Sequence, residues 1–278
     1  MLKTRVFTVA LLLPLFLAAL FYLPTAGWVA LNLVVMTAAA SEWACLARLH
    51  KPAARFFVAA VLLLLLVMVP LLDLLDEHPT RSRINLSMYA LALAFWVAAA
   101  PFWLRSKWQA GKLGLSLVGA LVLMSTWLAL VQLREIDKLL ILWIFSVVWV
   151  ADIAAYFCGK KFGRHPLAPN ISPGKTWEGV GGAVLAVTAY ALALVISTGN
   201  HGIGLLDSPL PAYAVLLVHW VLTALSIVGD LFESLLKRQA GVKDSGTMLP
   251  GHGGVLDRID GLTSTLPVAA FFIFVMLR

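Results

Sequence analysis

The segment from Ser234 to Asp260 concentrates side chains that could do chemistry. It reads SLLKRQAGVKDSGTMLPGHGGVLDRID and follows a long apolar run. Glycines let backbone N–H groups approach an anion closely, cations neutralise it, and carboxylates recruit a hard cation such as Mg²⁺. The segment therefore predicts a loop that binds phosphate groups and a divalent metal. Its charged residues are Lys237, Arg238, Lys243, Arg258, Asp244, Asp257 and Asp260.

An ordinary cytoplasmic loop of a membrane protein is the simplest alternative for this segment. Such loops are basic because positive charge orients membrane proteins during insertion. That alternative explains the lysines and arginines, but it does not explain three aspartates in the same loop.

Two further aspartates lie within apolar runs that could cross a membrane. Asp152 falls about five residues, and Asp230 about six, before the expected ends of their runs, which is roughly 8 to 10 Å along a helix. An aspartate within a span costs on the order of 3 kcal/mol on insertion scales, so a functional or paired role is expected. For Asp152, structural pairing with a neighbouring Lys or Thr stays open as an alternative.

The run that contains Asp230 also carries a polar stripe. Its members share one helical face because they are three or four residues apart or adjacent. They are Ser226, Asp230, Glu233, Ser234 and Lys237. A transporter would also carry such a stripe, but normally on broken helices near the middle of the bilayer. Clustering toward one membrane surface favours an active site that opens there.

A second basic loop runs from residue 159 to 179 and reads GKKFGRHPLAPNISPGKTWEG. Its cations, Lys160, Lys161, Arg164 and Lys175, suit polyphosphate or anionic lipid head groups, at about 1 kcal/mol per charge near a membrane surface. The PGKT fragment is not interpreted as a P-loop, because the upstream glycine is missing and no strand is expected before it. Glu178 marks the start of the next span, where Gly179, Gly181 and Gly182 would permit close helix packing. His165 and His252 could each bond phosphate, and a structural role is an equal alternative for both.

The elements that must position these residues are membrane-spanning helices. The chain has 278 residues, of which 61% are hydrophobic and 13% charged, and its mean hydropathy is +0.92. These values exclude a soluble domain and predict an all-α, polytopic integral membrane protein. Loop placement explains most of the net charge of +7, and without a basic helix interleaved with aromatics we expect no nucleic-acid binding. Cys45 and Cys158 lack the spacing of a disulfide framework or a zinc site.

About nine apolar runs approach the ~20 residues that a spanning helix needs. They cover residues 6–23, 27–47, 55–72, 85–104, 114–132, 138–157, 179–198, 210–236 and 262–277. The first is interpreted as a retained anchor, since no convincing cleavage site follows it. The first five runs carry almost no ionisable group apart from Glu42 and Asp73 near their ends. We therefore predict a membrane scaffold over residues 1–137 and a catalytic membrane domain of about four spans over residues 138–278.

The distribution of positive charge predicts the orientation. Most of the 21 lysines and arginines fall on one side if the N-terminus is cytoplasmic. That arrangement places the loops 158–178 and 237–261 in the cytoplasm, where nucleotides are found, and the C-terminus outside. The expected location is a membrane that borders the cytoplasm.

The segment from Ser234 to Asp260 resembles the signature of the phosphatidate cytidylyltransferase (CDP-diacylglycerol synthase) family. The residues that carry the resemblance are Ser234, Lys237, Arg238, Lys243, Asp244, Gly246, Leu249, Pro250, His252, Gly253, Gly254, Asp257, Arg258 and Asp260. The SPGKTWEG stretch from Ser172 to Gly179 and the intramembrane Asp152 are also similar to that family. Nine spans with the signature before the last one fit the family along the whole chain.

The resemblance implies condensation of CTP with phosphatidic acid to give CDP-diacylglycerol and pyrophosphate, with dependence on Mg²⁺. It implies that Asp230 and Asp257 hold the metal, beside which a second, monovalent cation such as K⁺ is an option. The residues alone do not select Asp257 over Asp244 or Asp260. Membrane lipids are the expected surroundings, and a homodimer is left open.

The site hypothesis divides the residues by role. The expected catalytic residues are Asp230, Lys237, Arg238, Lys243, Asp244, Asp257, Arg258 and Asp260. The expected substrate-binding residues are Asp152, Lys160, Lys161, Ser172, Lys175, Thr176, Glu178, Ser234, His252, Gly253 and Gly254. Two alternatives stay open, namely a transporter or flippase for an anionic substrate and another lipid-linked nucleotidyl- or phosphotransferase.

Overall fold

The structure, a computed structural model, describes residues 2–71, 83–197, 211–248, 251 and 253–276. Its helices follow the apolar runs of the sequence. They are α1 Leu2–Tyr22, α2 Thr25–Leu46, α3 Lys51–Leu71, α4 Arg83–Ala94, α5 Ala100–Ser106, α6 Lys112–Ile136, α7 Lys138–Phe162, α8 Trp177–Ser197, α9 Ala212–Ala240 and α10 Leu256–Met276. A π-helical segment, Phe95–Ala99, joins α4 to α5.

Eight helical segments of the described chain are long and apolar enough to cross a membrane. Helices α4 and α5 with the π-helical segment form one of them, Ile84–Ser106, and α1 contributes a shorter apolar stretch, Ala10–Tyr22. The all-α, polytopic membrane architecture is therefore confirmed. Nine spans and a cytoplasmic N-terminus stay predictions.

An aromatic cluster around Phe232 fixes the position of α9. Phe232 packs edge-to-face against Phe95, Trp96 and Trp103, with ring centroids 5.3, 5.6 and 5.4 Å away. Such edge-to-face contacts are favoured because the positive edge of one ring meets the negative face of another. The π-helical segment that carries Phe95 and Trp96 lies just before Pro101, which has no backbone N–H for a regular helical bond.

Helices α9 and α10 pack closely because Gly229 has no side chain. A Cβ at Gly229 would lie 2.5 Å from the Asp260 carbonyl oxygen and 2.5 Å from Ser264 Oγ. Small residues at such crossings let two backbones approach within the membrane. As a result, Asp230, the next residue on α9, lies beside the first turns of α10.

Helices α7 and α8 also meet through small residues. Added Cβ atoms at Gly179 and Gly182 would collide with the Ala155 carbonyl oxygen and with Cys158. The prediction of close packing is confirmed at these two glycines. It is wrong at Gly181, where a Cβ would meet no atom within 4 Å.

The only strands in the described part of the chain form a short antiparallel hairpin between α7 and α8. Strand β1, Pro166–Ala168, pairs with β2, Ser172–Thr176. The expectation that no strand precedes the PGKT fragment was therefore wrong, because a hairpin this short carries too little pattern to be recognised. The missing upstream glycine still excludes a P-loop.

Two helices extend further than the apolar runs indicated. Helix α7 continues to Phe162 and α9 to Ala240. Asp152 and Asp230 therefore lie about ten residues, or roughly 15 Å, before the ends of their helices, rather than 8 to 10 Å. The error arose because both helices add polar turns beyond their apolar runs, and the matching depth of the two aspartates persists.

Candidate active site

The hairpin and α9 meet at an ion pair between Lys175 and Asp230. Lys175 Nζ on β2 contacts Asp230 Oδ2, and Ser234 Oγ donates to Asp230 Oδ1 at 3.3 Å. Arg238, one turn after Ser234, donates from Nε to the Ile171 carbonyl oxygen at 3.2 Å. Two residues of α9, Asp230 and Arg238, therefore contact the hairpin.

A second group of ions joins α9 to α10. Lys237 Nζ lies 2.7 Å from Glu233 Oε2 and 2.6 Å from Asp257 Oδ1. The side chains are largely buried, with exposed fractions of 13% for Lys237 and 6% for each acid. Burial removes water from these charges, so each depends on the others for compensation.

Asp257 lies in the first turn of α10 and is surrounded by donors. Its Oδ2 accepts from Ser245 N at 2.9 Å, Ser245 Oγ at 3.0 Å and Gly254 N at 2.8 Å, while Oδ1 contacts Lys237. Gly253 has φ 81°, and a Cβ there would lie 2.6 Å from Asp257 Oδ2. Gly253 thus lets the backbone approach this carboxylate.

Acids from α7 and α10 lie near Asp230. Asp152 is within electrostatic range of Asp230 and of the cations Lys175 and Arg258. Asp260 is within range of Asp230, Glu233 and Asp152, and its Oδ1 accepts from Gly261 N at 2.8 Å. Three helices therefore bring carboxylates to one end of the bundle.

Glu233 has one carboxylate oxygen that is available to a bound cation, because Lys237 pairs only with its other oxygen. Its Oε1 is buried without a hydrogen-bond partner, and it lies in electrostatic range of Asp230 and Asp257. An unsatisfied buried carboxylate oxygen among other acids is unfavourable unless positive charge compensates it. Within the described residues, no three His, Cys, Asp or Glu side chains are placed so that they could hold one metal ion. The assignment of Asp230 and Asp257 as metal ligands stays a prediction.

The other predicted site residues differ in their exposure. Lys160 and Lys161 are exposed at the end of α7, where they lie 5.8 and 5.2 Å from the ring centroids of Tyr156 and Phe162. Lys243, Asp244 and Arg258 are exposed, and Ser172 and Thr176 are half-buried on β2. His252, with Leu249 and Pro250 of the signature, lies outside the described residues.

Glu178 and His165 clamp the base of the hairpin. His165 Nδ1 lies 2.6 Å from Glu178 Oε1, and Glu178 Oε2 accepts from the backbone N–H groups of Arg164 and His165. Thr176 Oγ1 accepts from Gly179 N at 3.1 Å, which caps the start of α8. These contacts fix the strand that carries Lys175.

Sequence reasoning assigned no role in the site to Glu42. Glu42 on α2 is 5% exposed and accepts from Val255 N, Leu256 N and Ser245 Oγ. The only signal was an acid near the end of an apolar span. Its partners are more than two hundred residues away, so the pattern of the span could not identify them.

The fold and the site together define the class of protein to which this chain belongs. This is an integral membrane protein whose helices bring buried carboxylates and lysines together at one end of the bundle, next to basic loops. Such an arrangement suits the binding of multiply charged anions and cations at the edge of a bilayer.

Comparison with known proteins identifies the family. Residues 3–276 match the cytidylyltransferase family. The chain is 39% identical to the phosphatidate cytidylyltransferase of Pseudomonas aeruginosa, over 97% of this chain and 96% of that one. It is 36% identical to the protein of the same name from Haemophilus influenzae, over 100% of both chains. The chain therefore belongs to the cytidylyltransferase family, which confirms the resemblance seen in the signature.

Proposed function

We propose that this protein is a CTP:phosphatidate cytidylyltransferase, which forms CDP-diacylglycerol and pyrophosphate for phospholipid synthesis. The observation that carries the proposal is the presence of two ion groups on α9, one with Lys175 and Asp230 and one with Lys237 and Asp257, at one end of the bundle. The names of the full-length relatives support the same reaction.

The reaction joins two phosphates. A phosphate oxygen of phosphatidate attacks the α-phosphorus of CTP and forms a new P–O bond. The bond from the α-phosphorus to the oxygen bridging it to the β-phosphorus breaks, and pyrophosphate leaves with that electron pair. The attacking phosphate is already anionic at neutral pH, so the main requirements are alignment and control of charge.

The lysines of the site supply part of that control. Lys237 is held between two acids near the start of α10. Its ammonium group is therefore in place before the reaction, and no free energy is needed to orient it when charge develops on the phosphates. Lys175 is paired in the same way with Asp230. The exposed Lys243 and Arg258 can neutralise the triphosphate, and Lys160 and Lys161 can attract anionic lipid to the site.

Magnesium, when bound, would neutralise phosphate oxygens and stabilise the charge that develops on the leaving group. Asp230 and Asp257 are the proposed ligands. Asp257 already has donors on both of its oxygens, whereas Glu233 Oε1 has none, which adds Glu233 as a candidate ligand. A second, monovalent cation such as K⁺ is proposed for the same acidic region.

The proposed location is the bacterial inner membrane with the site facing the cytoplasm. CTP is a cytoplasmic solute, and the bias of Lys and Arg toward one side supports this orientation. Phosphatidate would keep its acyl chains in the bilayer while its head group enters from the side.

Purified protein in detergent tests the proposal directly. Labelled CTP is supplied with phosphatidate and Mg²⁺, and each component is omitted in turn while CDP-diacylglycerol and pyrophosphate are measured. We expect equal amounts of both products only in the complete mixture. Product formed from a polyprenol instead of phosphatidate would contradict the proposal, and so would nucleotide-free counterflow of an anion in sealed vesicles without any CTP turnover.

A further inference from the structure

Glu42 places a buried carboxylate from the N-terminal helices against the segment that leads into α10. Its Oε1 accepts from Val255 N at 2.9 Å, and its Oε2 accepts from Leu256 N at 2.8 Å and from Ser245 Oγ at 3.0 Å. All three donors belong to the segment between α9 and the first turn of α10. The contact therefore joins parts of the chain that are far apart in sequence.

The charge of Glu42 is compensated by these donors. No ion pair involves Glu42 within the described residues. A buried carboxylate is tolerated where it accepts several charge-assisted hydrogen bonds, and the N-terminus of a helix adds favourable dipole interactions. Backbone amides at the start of α10 provide both.

Two glycines of the segment leave room for this carboxylate. A Cβ at Gly246 would lie 2.5 Å from Glu42 Oε1, and a Cβ at Gly254 would collide with Glu42 Oε2 and Ser245 Oγ. Glu42 is held by its hydrogen bonds, so it cannot move aside without losing them. The segment between α9 and α10 is thus shaped around Glu42 from two directions.

Ser245 connects Glu42 to the ion group. Its hydroxyl lies 3.0 Å from Glu42 Oε2 and 3.0 Å from Asp257 Oδ2, while its backbone N–H donates to Asp257 Oδ2. A hydroxyl has one proton, so it donates to one of the two carboxylates at a time. A displacement of Glu42 would therefore move both Ser245 and the first turn of α10, which carries Asp257.

We propose that Glu42 is a positioning residue: it fixes Ser245 and the start of α10, and through them holds Asp257 against Lys237. The effect of Glu42 on turnover rests on the proposed function, whereas its effect on the backbone between Ser245 and the start of α10 does not. Loss of this support would lower kcat, because small displacements of positioned groups reduce rates by roughly 10- to 100-fold.

The test compares Glu42→Gln with Glu135→Gln in the purified full-length protein. Glu135 is a control for the loss of a largely buried carboxylate away from the site: it accepts from Arg134 and Thr25, so its substitution also destabilises the fold without touching the segment before α10. Glutamine keeps the shape of Glu42 but replaces one carboxylate oxygen, which accepts hydrogen bonds, by an NH₂ group, which donates them. We expect Glu42→Gln to lower kcat by roughly 10- to 100-fold with little change in the KM for CTP, and Glu135→Gln to leave both unchanged.

Two readouts separate positioning from general destabilisation. Amide hydrogen exchange in peptides covering residues 243–258 should rise in Glu42→Gln and stay unchanged in Glu135→Gln, whichever lipid is the substrate. In a double-mutant cycle, Glu42→Gln and Ser245→Ala should be non-additive in their effect on kcat, because each breaks the same connection.

A second variant tests the positioning role of Glu42 if Glu42→Gln does not fold. Gly246→Ala pushes against Glu42 but leaves every hydrogen-bond donor in place, and it should raise the same exchange and lower kcat. Unchanged exchange and kcat in a folded Glu42→Gln would overturn the proposal, as would additive effects in the cycle. An inactive wild-type protein would instead contradict the proposed function, and the exchange data would still decide the role of Glu42.

Discussion

Lys237 is the residue on which both acids of the α9–α10 ion group depend. Its Nζ contacts Glu233 and Asp257 at 2.7 and 2.6 Å, and both acids are 6% exposed. Lys237→Met would leave two buried carboxylates near each other without their cation. Because removal of one partner strands a buried charge, we expect the free energy of unfolding to fall by about 3 to 5 kcal/mol.

Thermal unfolding in detergent, followed by loss of helical signal, checks this prediction. Lys51→Met removes an exposed lysine at the start of α3, and its effect should stay within about 0.5 kcal/mol. Equal effects of the two substitutions would show that Lys237 is not needed to compensate the acids. Adding Glu233→Gln to Lys237→Met should recover part of the stability, since one uncompensated charge is removed.

Asp257→Asn keeps the shape of the carboxylate and removes its charge. The amide group would place a donor either against Lys237 or against the N–H groups of Ser245 and Gly254. We expect kcat to fall by roughly 10²- to 10³-fold, a loss typical of removing one preorganised electrostatic group. The measurement is the rate of CDP-diacylglycerol formation at saturating Mg²⁺.

The control for this substitution is Asp137→Asn. Asp137 caps α7 by accepting from Leu139 N at 2.7 Å, and Asn is an equally good capping residue. Wild-type activity is therefore expected in the control. Substantial activity in a folded Asp257→Asn variant would exclude the metal and charge roles assigned to Asp257.

At the residue scale, the sequence was most informative where spacing along one helix decided the geometry. Asp230, Glu233, Ser234 and Lys237 were predicted to share a face, and the ion contacts of α9 place them so. The partners of these residues could not be derived, because Lys175 and Asp257 come from other elements. Glu42 was missed for the same reason, since its partners depend on how α2 packs.

At the element scale, the crossing of α9 and α10 decides where Asp230 lies. Gly229→Ala would place a Cβ 2.5 Å from the Asp260 carbonyl oxygen and 2.5 Å from Ser264 Oγ. The helices must move apart, so we expect overpacking to lower the free energy of unfolding by about 1 to 3 kcal/mol. Activity should also fall, because Asp230 moves relative to α10.

Gly181→Ala is the matched control for this helix contact. A Cβ at Gly181 meets no atom within 4 Å, and alanine has a better helix propensity than glycine by about 1 kcal/mol. The control should therefore be as stable as the wild type or more so. Gly229→Ala with wild-type stability and turnover would show that the contact at Gly229 does not set the helix crossing.

The elements themselves were predictable to different degrees. Apolar runs identified the helices because a membrane demands about 20 apolar residues for each span. The positions of the helix ends were predicted less well, because α7 and α9 continue through polar turns that hydropathy does not mark as helical. The hairpin was missed because its three- and five-residue strands are fixed by contacts with Glu178 and Arg238 rather than by pattern.

At the scale of the whole molecule, the site lies where the ends of several helices meet. The end of α2 reaches it through Glu42, α7 and α9 run toward it, and α10 begins there. Glu42 thus links the region assigned to the scaffold with the region assigned to catalysis. The division at residues 137 and 138 stays a prediction, and this contact connects the two sides of it.

Alternation of nine spans from a cytoplasmic N-terminus would put all of these ends on the cytoplasmic side. Cysteine labelling tests this arrangement in a protein whose free Cys45 and Cys158 have been replaced by alanine. Gly174→Cys lies in the exposed part of β2 beside Lys175, where a side chain meets no atom within 4 Å. Leu139→Cys replaces a residue at the other end of α7 whose side chain is 54% exposed.

We expect a membrane-impermeant thiol reagent to modify Gly174→Cys only in inside-out vesicles and Leu139→Cys only in right-side-out vesicles. CTP with Mg²⁺ should slow modification of Gly174→Cys and leave Leu139→Cys unaffected, because only the hairpin faces the proposed nucleotide site. Modification of Gly174→Cys from the periplasmic side would reverse the orientation and would separate the site from the cytoplasmic pool of CTP.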